Sequence, residues 1–459
     1  MKNKFVTIEI DLNVFELNAS IKTSKLSVVK WNKFIHISND NSVEVQSLSA
    51  IENPVEFSKR NKGILISAGT EIVTIFNDPF CSIPLYYYRD ANRVIITSEP
   101  SELFDRVDSQ IDEAGMWEII LFGSCVWNRT LFKSLSQMPS ATKLLVTKNN
   151  LDLNRYWNFS VQEDPYLRST KNSIEALDSK LSEIFAALPA KPLLMGMSGG
   201  MDSRVSAAYL HKVNKNSITD TFTYASTKFS LEYKYAKQVC DSHNISSPKL
   251  CLLNEASYRG FLGTLPKYTC GQIGIQHSHI SSILNNYAGD VSVSYTQVSN
   301  YYSDAVFGWD CTGTKNIVDG SDSLSKVLES SSFVPVKVKA EIESDIYHVF
   351  LGLDQDSNIS SLDEFKYMTE RHQKFHMNLA FQQSRLVDTL TPYANHDLLV
   401  LMLSMPLHLR KRKNILDLLF ESGCIKNSLV ENISSRQLLA GNEFPDKGLM
   451  SWIHKYEIG

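Results

Sequence analysis

The sequence lacks several features that would assign it to a common class at once. No stretch of its 459 residues reaches the about 18 consecutive apolar residues of a membrane-spanning helix. Lysine and arginine number 46 against 50 acidic residues, so the net charge of −4 gives no general bias towards nucleic acid or membrane surfaces. Acidic residues interrupt the first apolar stretch, which argues against a signal peptide. We therefore expect neither a nucleic-acid nor a membrane partner.

Cysteines are few and irregularly spaced. The seven cysteines are odd in number and no two of them form a C-x-x-C pair, so the sequence predicts neither a disulfide framework nor a typical zinc or redox motif. Such usage is typical of reduced, mostly buried thiols, and we expect a cytoplasmic protein. With 43% hydrophobic residues, the chain is long enough to bury two sizeable cores.

The most informative stretch is residues 191–213, KPLLMGMSGGMDSRVSAAYLHKV. A short apolar run leads into SGGMDS, and apolar residues then recur at helical spacing, which predicts a strand, a tight loop and a helix. Such a loop offers backbone N–H groups and a helix N-terminus to an anion, and Gly199 and Gly200 permit close approach and positive φ. Because Asp202 would repel a bare phosphate, we expect a divalent cation between them. The chain contains no GxxxxGK[ST], so this is not a Walker A loop.

SGGMDS also resembles the SGG-x-DS pyrophosphate loop of the asparagine-synthetase-like ATP pyrophosphatases. That family cleaves ATP between the α- and β-phosphates and converts a carboxylate into an acyl-adenylate. The resemblance implies that ATP and Mg²⁺ bind here, with Asp202 as a metal ligand. Phe222 and Thr223, on the next predicted strand, would lie beside the adenine, because ligands lie at the carboxyl ends of strands in open α/β sheets. The implied loop contacts are Met197, Ser198, Gly199, Gly200, Met201, Asp202 and Ser203.

A second stretch, NYYSDAVFG at residues 300–308, resembles the family's second cation loop. The resemblance implies that Asp304 is the other metal ligand. Asn300 and Tyr302 stand where the family often has glycine. The alternative is that Asp304 only caps the N-terminus of a helix.

The first third of the chain is predicted to be β-rich, because short β-branched or aromatic runs alternate with turn residues. NDPF, PLYY and ITSE follow one another between residues 77 and 99 and together resemble the glutaminase-type domain of asparagine synthetases. The implied fold class is α/β and α+β. An N-terminal Ntn-glutaminase-like β-sandwich domain would span residues 1–165, and a PP-loop α/β synthetase domain with a helical C-terminal region would span residues 166–459.

The sequence departs from that family in one important respect. A working glutaminase of this type uses an N-terminal cysteine as nucleophile, whereas residue 2 here is lysine and the first cysteine is Cys81. We therefore expect no glutaminase activity and a scaffold or recognition role for the first domain. The layout is similar to that of β-lactam synthetases and lasso-peptide cyclases, in which the attacking amine belongs to the substrate.

The resemblance also implies catalytic residues. In the cyclising relatives a tyrosine supported by a glutamate acts as base, three residues before the cation-binding aspartate. Tyr301 stands three residues before Asp304, and Glu370, on a long predicted helix, is the proposed partner; packing and surface roles are the alternatives. Relatives carry a catalytic lysine near the C-terminus where this sequence has Leu438, so Lys447 is the remaining candidate.

The predicted function is an ATP-dependent carbon–nitrogen ligase that adenylates a carboxylate and transfers the acyl group to an amine, releasing AMP and pyrophosphate. Its partners would be small-molecule or peptide carboxylates and amines, including a precursor peptide, or a separate amidotransferase. One alternative is asparagine-synthetase-type amidation of a metabolite or sugar carboxylate with glutamine or ammonia. Another is a serine hydrolase, because GMSGG matches G-x-S-x-G with Ser198 as nucleophile. A third is a non-catalytic nucleotide-binding protein.

Overall fold

The computed structural model divides the chain into two compact units. Unit 1 comprises Met1–Gln162, Leu265–Ile273 and Thr312–Arg385, and unit 2 comprises Glu163–Thr264, Gly274–Cys311 and Leu386–Gly459. The structure describes residues 5–12, 22–24, 26–31, 33–39, 51–107, 110–189, 191–213, 218–261, 263–274, 277–289, 294–309, 311, 322–354 and 356–428. Within these ranges, no helix has the length and apolar character needed to cross a membrane.

Strands and helices are numbered in chain order. The strands are β1 (Phe5–Asp11), β2 (Lys22–Ser24), β3 (Ser27–Trp31), β4 (Phe34–Ser38), β5 (Ile64–Ala68), β6 (Val73–Asn77), β7 (Tyr86–Arg89), β8 (Arg93–Thr97), β9 (Ser136–Gln137), β10 (Thr142–Val146), β11 (Leu151–Arg155), β12 (Leu193–Gly196), β13 (Ile218–Ala225), β14 (Lys249–Leu252), β15 (Thr296–Val298) and β16 (Asp388–Leu390). The α-helices are α1 (Pro54–Arg60), α2 (Glu113–Phe122), α3 (Thr170–Ala186), α4 (Met201–Val213), α5 (Leu231–Ser242), α6 (Glu255–Arg259), α7 (Leu265–Thr269), α8 (His279–Ala288), α9 (Ser303–Val306), α10 (Ser323–Ser330), α11 (Val336–Phe350), α12 (Leu362–Lys366), α13 (Asn378–Gln383), α14 (His396–Ser404), α15 (Leu407–Arg410) and α16 (Asn414–Glu421). Short 3₁₀ turns span Pro100–Leu103, Pro165–Arg168 and Lys411–Lys413.

Unit 1 contains two antiparallel sheets with one shared hydrophobic core. The strands pair in the orders β2-β1-β8-β7-β9 and β11-β10-β6-β5-β4-β3. Along β1, buried and half-buried residues alternate, as expected for a strand with one face against a core. Ile8 of the first sheet and Ile66 and Ile75 of the second belong to the same buried cluster, so the two sheets pack face to face.

The long helix predicted to carry Glu370 is present over residues 362–383, but its middle is not α-helical. It begins as α12, continues as a π-helix over Tyr367–Met377 and ends as α13. π-Helical turns are rare and occur often at functional sites. Glu370 lies in this π-helical segment.

Unit 2 is built on a parallel sheet in the order β14-β13-β12-β15-β16. Leu193, Leu194 and Met195 of the central strand β12 are fully buried, which is typical of a strand covered on both faces. The chain leaves β12 towards β13 on one side and later returns to β15 on the other. The order of strands therefore reverses between β12 and β15, and in such sheets ligands bind at the carboxyl ends of the strands at this switch point. The protein is thus a mixed α/β protein that includes a parallel sheet.

Candidate functional site

The SGGMDS loop connects β12 to α4 at the carboxyl edge of the parallel sheet. The hydroxyl oxygens of Ser198 and Ser203 lie 2.7 Å apart, and the Gly200 N–H donates to Ser198 Oγ at 3.1 Å. Ser203 Oγ also lies within hydrogen-bonding distance of the Ser198 and Gly200 carbonyls. These contacts fold the loop tightly against the N-terminus of α4, where N–H groups and the helix dipole favour an anion.

The loop glycines have ordinary backbone conformations. Among the described residues, the glycines with positive φ lie elsewhere, and neither Gly199 nor Gly200 is among them. The loop therefore does not use the positive φ that its glycines permit. The loop turns instead through its serine hydrogen bonds, and a Cβ at Gly200 would lie 3.0 Å from Ser198 Oγ.

Strand β13 holds the loop from one side. The Met197 N–H donates to the Phe222 carbonyl at 2.7 Å, and the Phe222 ring is buried in a cluster that includes Leu194. Thr223 is also buried. Tyr224 is the exposed aromatic residue at this end of β13, with its ring centroid 4.5 Å from that of His279.

An internal carboxylate already contacts the loop. Glu232, in the first turn of α5, accepts a hydrogen bond from the Gly199 N–H at 3.1 Å. One of the backbone donors that the sequence assigns to phosphate is therefore paired with a side chain of the protein itself.

The two predicted cation ligands are brought together on a lysine that the sequence did not single out. Lys413 Nζ lies 2.6 and 2.7 Å from the two carboxylate oxygens of Asp202 and 2.5 Å from Asp304 Oδ1. The lysine side chain is only 6% exposed, against 23% for Asp202 and 35% for Asp304. Burial alone would lower the pKa of Lys413, but the two carboxylates outweigh it and raise that pKa. Burial in turn raises the pKa of Asp202, and the Lys413 ammonium opposes this shift.

The second loop is joined to the first by hydrogen bonds. Ser206 Oγ, on α4, lies 2.7 Å from both Asn300 Oδ1 and the Tyr393 hydroxyl group, and that hydroxyl donates to the Asp202 carbonyl at 3.3 Å. Helix α9 begins directly after its N-cap, Tyr302, so the alternative that Asp304 is an N-cap is wrong. Asp304 lies in the first turn of this short helix.

Gly308 ends the second loop in a position that requires glycine. Its φ is +72°, and a Cβ would lie 2.7 Å from the Arg410 carbonyl and 2.8 Å from Cys311 Sγ. Gly423 has a similar φ of +76°, and no atom of the described residues lies within 4 Å of the position that a Cβ would take there. Alanine substitutions at Gly308 and Gly423 therefore separate the loss of stability due to backbone strain from the loss due to the steric clash.

We predict that Gly308→Ala lowers the free energy of unfolding by about 2–4 kcal/mol, through strain and clash together. Gly423→Ala should lower it by only about 1–2 kcal/mol, because strain alone operates there. Urea denaturation of both variants measures the difference. Equal losses in the two variants would show that Gly308 is not needed for close approach to Arg410.

The remaining predicted residues have different surroundings. Tyr301 is half-buried in unit 2, and its N–H donates to Ser299 Oγ at 3.4 Å. Glu370 is buried in unit 1, so the alternative of a surface role is wrong. Its Oε2 accepts from the Trp127 N–H at 3.1 Å and lies 3.4 Å from Lys374 Nζ. Lys447 lies outside the described residues.

The hydrogen bonds of the Ser198 hydroxyl group differ from those of a hydrolase nucleophile. Its hydroxyl oxygen contacts Ser203 and the Gly200 N–H, and in the described part of the chain no hydrogen bond joins it to a histidine. A hydrolase would also need a histidine downstream of Ser198; His396 is such a residue, and its Nδ1 lies 3.1 Å from Asp397 Oδ1. A serine nucleophile needs an adjacent base, so this geometry does not activate Ser198.

The acidic residues of the site form an incomplete metal-binding set by themselves. Across the ranges that the structure describes, no group of three or more histidine, cysteine, aspartate or glutamate side chains is arranged to hold a metal ion. The carboxylates of Asp202 and Asp304 both contact the Lys413 ammonium, so they lie close enough together to share one cation. Mg²⁺ commonly takes one or two carboxylates together with water and substrate phosphates. The donor set fits a Mg²⁺ ion that arrives with phosphate.

Comparison with known proteins does not identify a family for this chain. No protein-family model matches the sequence, and no curated protein matches it.

Proposed function

We propose that this protein is an ATP-dependent carbon–nitrogen ligase of the asparagine-synthetase-like type. It would adenylate a carboxylate, release pyrophosphate, and transfer the acyl group to an amine with release of AMP. The observation that supports this most is that the carboxylates of Asp202 and Asp304 lie close together, both paired with the Lys413 ammonium. Their loops follow β12 and β15, the strands on either side of the switch point. In this proposal residues 166–459 form the PP-loop synthetase domain and residues 1–165 the glutaminase-like domain.

Each residue then has a defined task. The N-terminus of α4 and the hydroxyl groups of Ser198 and Ser203 bind phosphate oxygens. Asp202 and Asp304 would hold Mg²⁺, which when bound neutralises charge on the departing pyrophosphate. Lys413 supplies a positive charge beside them. These contacts act where negative charge develops during adenylation, which is where an enzyme gains rate.

The amine is proposed to belong to a substrate rather than to come from glutamine. Cys81 is buried, and burial together with the neighbouring Asp78 carboxylate raises the pKa of its thiol well above the usual range. A thiol in that state is a poor nucleophile. Its sulfur instead accepts a hydrogen bond from the Asn77 amide at 3.2 Å, which is a structural role.

We therefore predict that the protein releases no glutamate from glutamine above background, with or without ATP. A coupled glutamate dehydrogenase assay measures this directly. Robust glutamate release would contradict the proposed source of the amine, while the proposed adenylation would still be judged by its own assay.

The function is tested by ATP–pyrophosphate exchange. Labelled pyrophosphate is incubated with the protein, Mg²⁺, ATP and pools of small carboxylates, and incorporation of label into ATP is measured. We expect exchange that depends on at least one carboxylate pool. Labelling with a fluorophosphonate probe examines the hydrolase alternative, and we expect Ser198 to remain unmodified.

A further inference from the structure

We propose that Lys413 excludes free Mg²⁺ from Asp202 and Asp304, so that the metal enters the site only together with the nucleotide. The inference rests on the proposed function and assigns Lys413 a positioning role within it. Its basis is the placement of one ammonium group within 2.5–2.7 Å of both carboxylates that would bind the metal.

The fold holds the backbone from which this ammonium extends. Arg412 and Lys413 are consecutive non-glycine residues with positive φ, 50° and 62°. The Arg412 N–H donates to the Gly308 carbonyl at 3.1 Å, which fixes the turn against the second loop. The Trp309 ring centroid lies 5.7 Å from Lys413 Nζ. Strained backbone of this kind persists where the surrounding structure enforces it, often at functional sites.

The ammonium and the metal compete for the same oxygens. Mg²⁺ binds carboxylate oxygens at about 2.0–2.1 Å, so it cannot lie between Asp202 and Asp304 while Lys413 Nζ contacts both. A displaced lysine would leave a buried, unpaired charge, which is strongly unfavourable. Nucleotide phosphates bring the negative charge that gives the displaced ammonium a new partner. Metal and nucleotide then increase each other's affinity, as linked ligands must.

The test is a calorimetric titration of MgCl₂ into the full-length protein without nucleotide. Lys413→Met should bind Mg²⁺ at least about 10-fold more tightly than wild type, because the competing ammonium is gone. Lys411→Met removes an exposed lysine two residues away and should behave as wild type. Adding Asp304→Asn to Lys413→Met should weaken Mg²⁺ binding again.

Thermal unfolding is a second measurement, and it also shows whether the Lys413→Met variant is folded. In thermal unfolding, Mg²⁺ should raise the melting temperature of Lys413→Met and leave that of wild type unchanged. Wild type that binds Mg²⁺ alone as tightly as Lys413→Met, or a Lys413→Met variant that gains no affinity, would overturn the inference. Because no nucleotide is present, these outcomes are independent of ATP–pyrophosphate exchange. Absence of exchange, with the expected Mg²⁺ affinities, would refute the proposed function alone.

Discussion

Asp202→Asn should reduce ATP–pyrophosphate exchange by about 10²–10³-fold, the usual cost of removing one group that stabilises transition-state charge. The substitution keeps the size of the side chain and removes its negative charge. The proposed metal site then loses one of its two carboxylates, and among the described residues Lys413 retains only Asp304 as an ionic partner. Exchange is measured with the carboxylate that supports the highest wild-type rate.

The matched control for this variant is Asp241→Asn, which removes an exposed carboxylate near the end of α5. It should exchange pyrophosphate at the wild-type rate. Circular dichroism should show that both variants keep the wild-type helix and strand content. Full exchange by Asp202→Asn would remove Asp202 from the proposed metal site.

Tyr301→Phe should retain adenylation but lose most amide formation. An aliphatic amine with a pKa near 10 must lose a proton before it attacks, at a cost of roughly 4 kcal/mol at neutral pH. A well-placed base contributes about 10²–10⁴-fold in rate, so we expect a loss of that size in product formation. Pyrophosphate exchange reports adenylation, and mass spectrometry of the amide product reports the later step.

Tyr166→Phe is the control for loss of a tyrosine hydroxyl, because Tyr166 is 63% exposed in a 3₁₀ turn of unit 2. It should form amide as wild type does. If Tyr301→Phe also turns over normally, Tyr301 only packs the second loop. An ammonia-type acceptor then becomes the better proposal.

Local sequence patterns predicted the centre of the fold well. The apolar run before SGGMDS forms β12, and the helical spacing after it forms α4. A short β-branched run predicts a strand over residues 5–12, where β1 lies, and an amphipathic pattern predicts a helix over residues 172–188, where α3 lies. The three- and four-residue strands β14, β15 and β16 were not predicted, because so few residues show no reliable period and their strand geometry depends on neighbours in the sheet.

Lys413 shows why the charge balance of the site could not be predicted. It is separated from Asp202 by 211 positions and belongs to the run KRKN, which is typical of a solvated surface. Only tertiary structure buries it against two carboxylates. The adjacent turn, with two consecutive residues of positive φ, has no glycine to mark it in the sequence.

Tyr302 in the second loop has a backbone conformation that its residue type does not indicate. The sequence departs from glycine at this position, yet the backbone has a φ of +75°, the conformation that glycine adopts most easily. The tyrosine side chain is completely buried, so its packing offsets the strained backbone. The loop therefore has a glycine-like conformation that a search for glycine would miss.

In the proposed function, this protein cleaves ATP between its α- and β-phosphates to activate a carboxylate. Phosphorus-31 NMR tests it most directly, with the full-length protein, MgATP and a pool of small carboxylates and amines in one tube. We expect AMP and pyrophosphate in equal amounts, formed only when carboxylate is present and lost in Asp202→Asn. Formation of ADP and phosphate, or ATP that stays intact with every carboxylate pool, would contradict it.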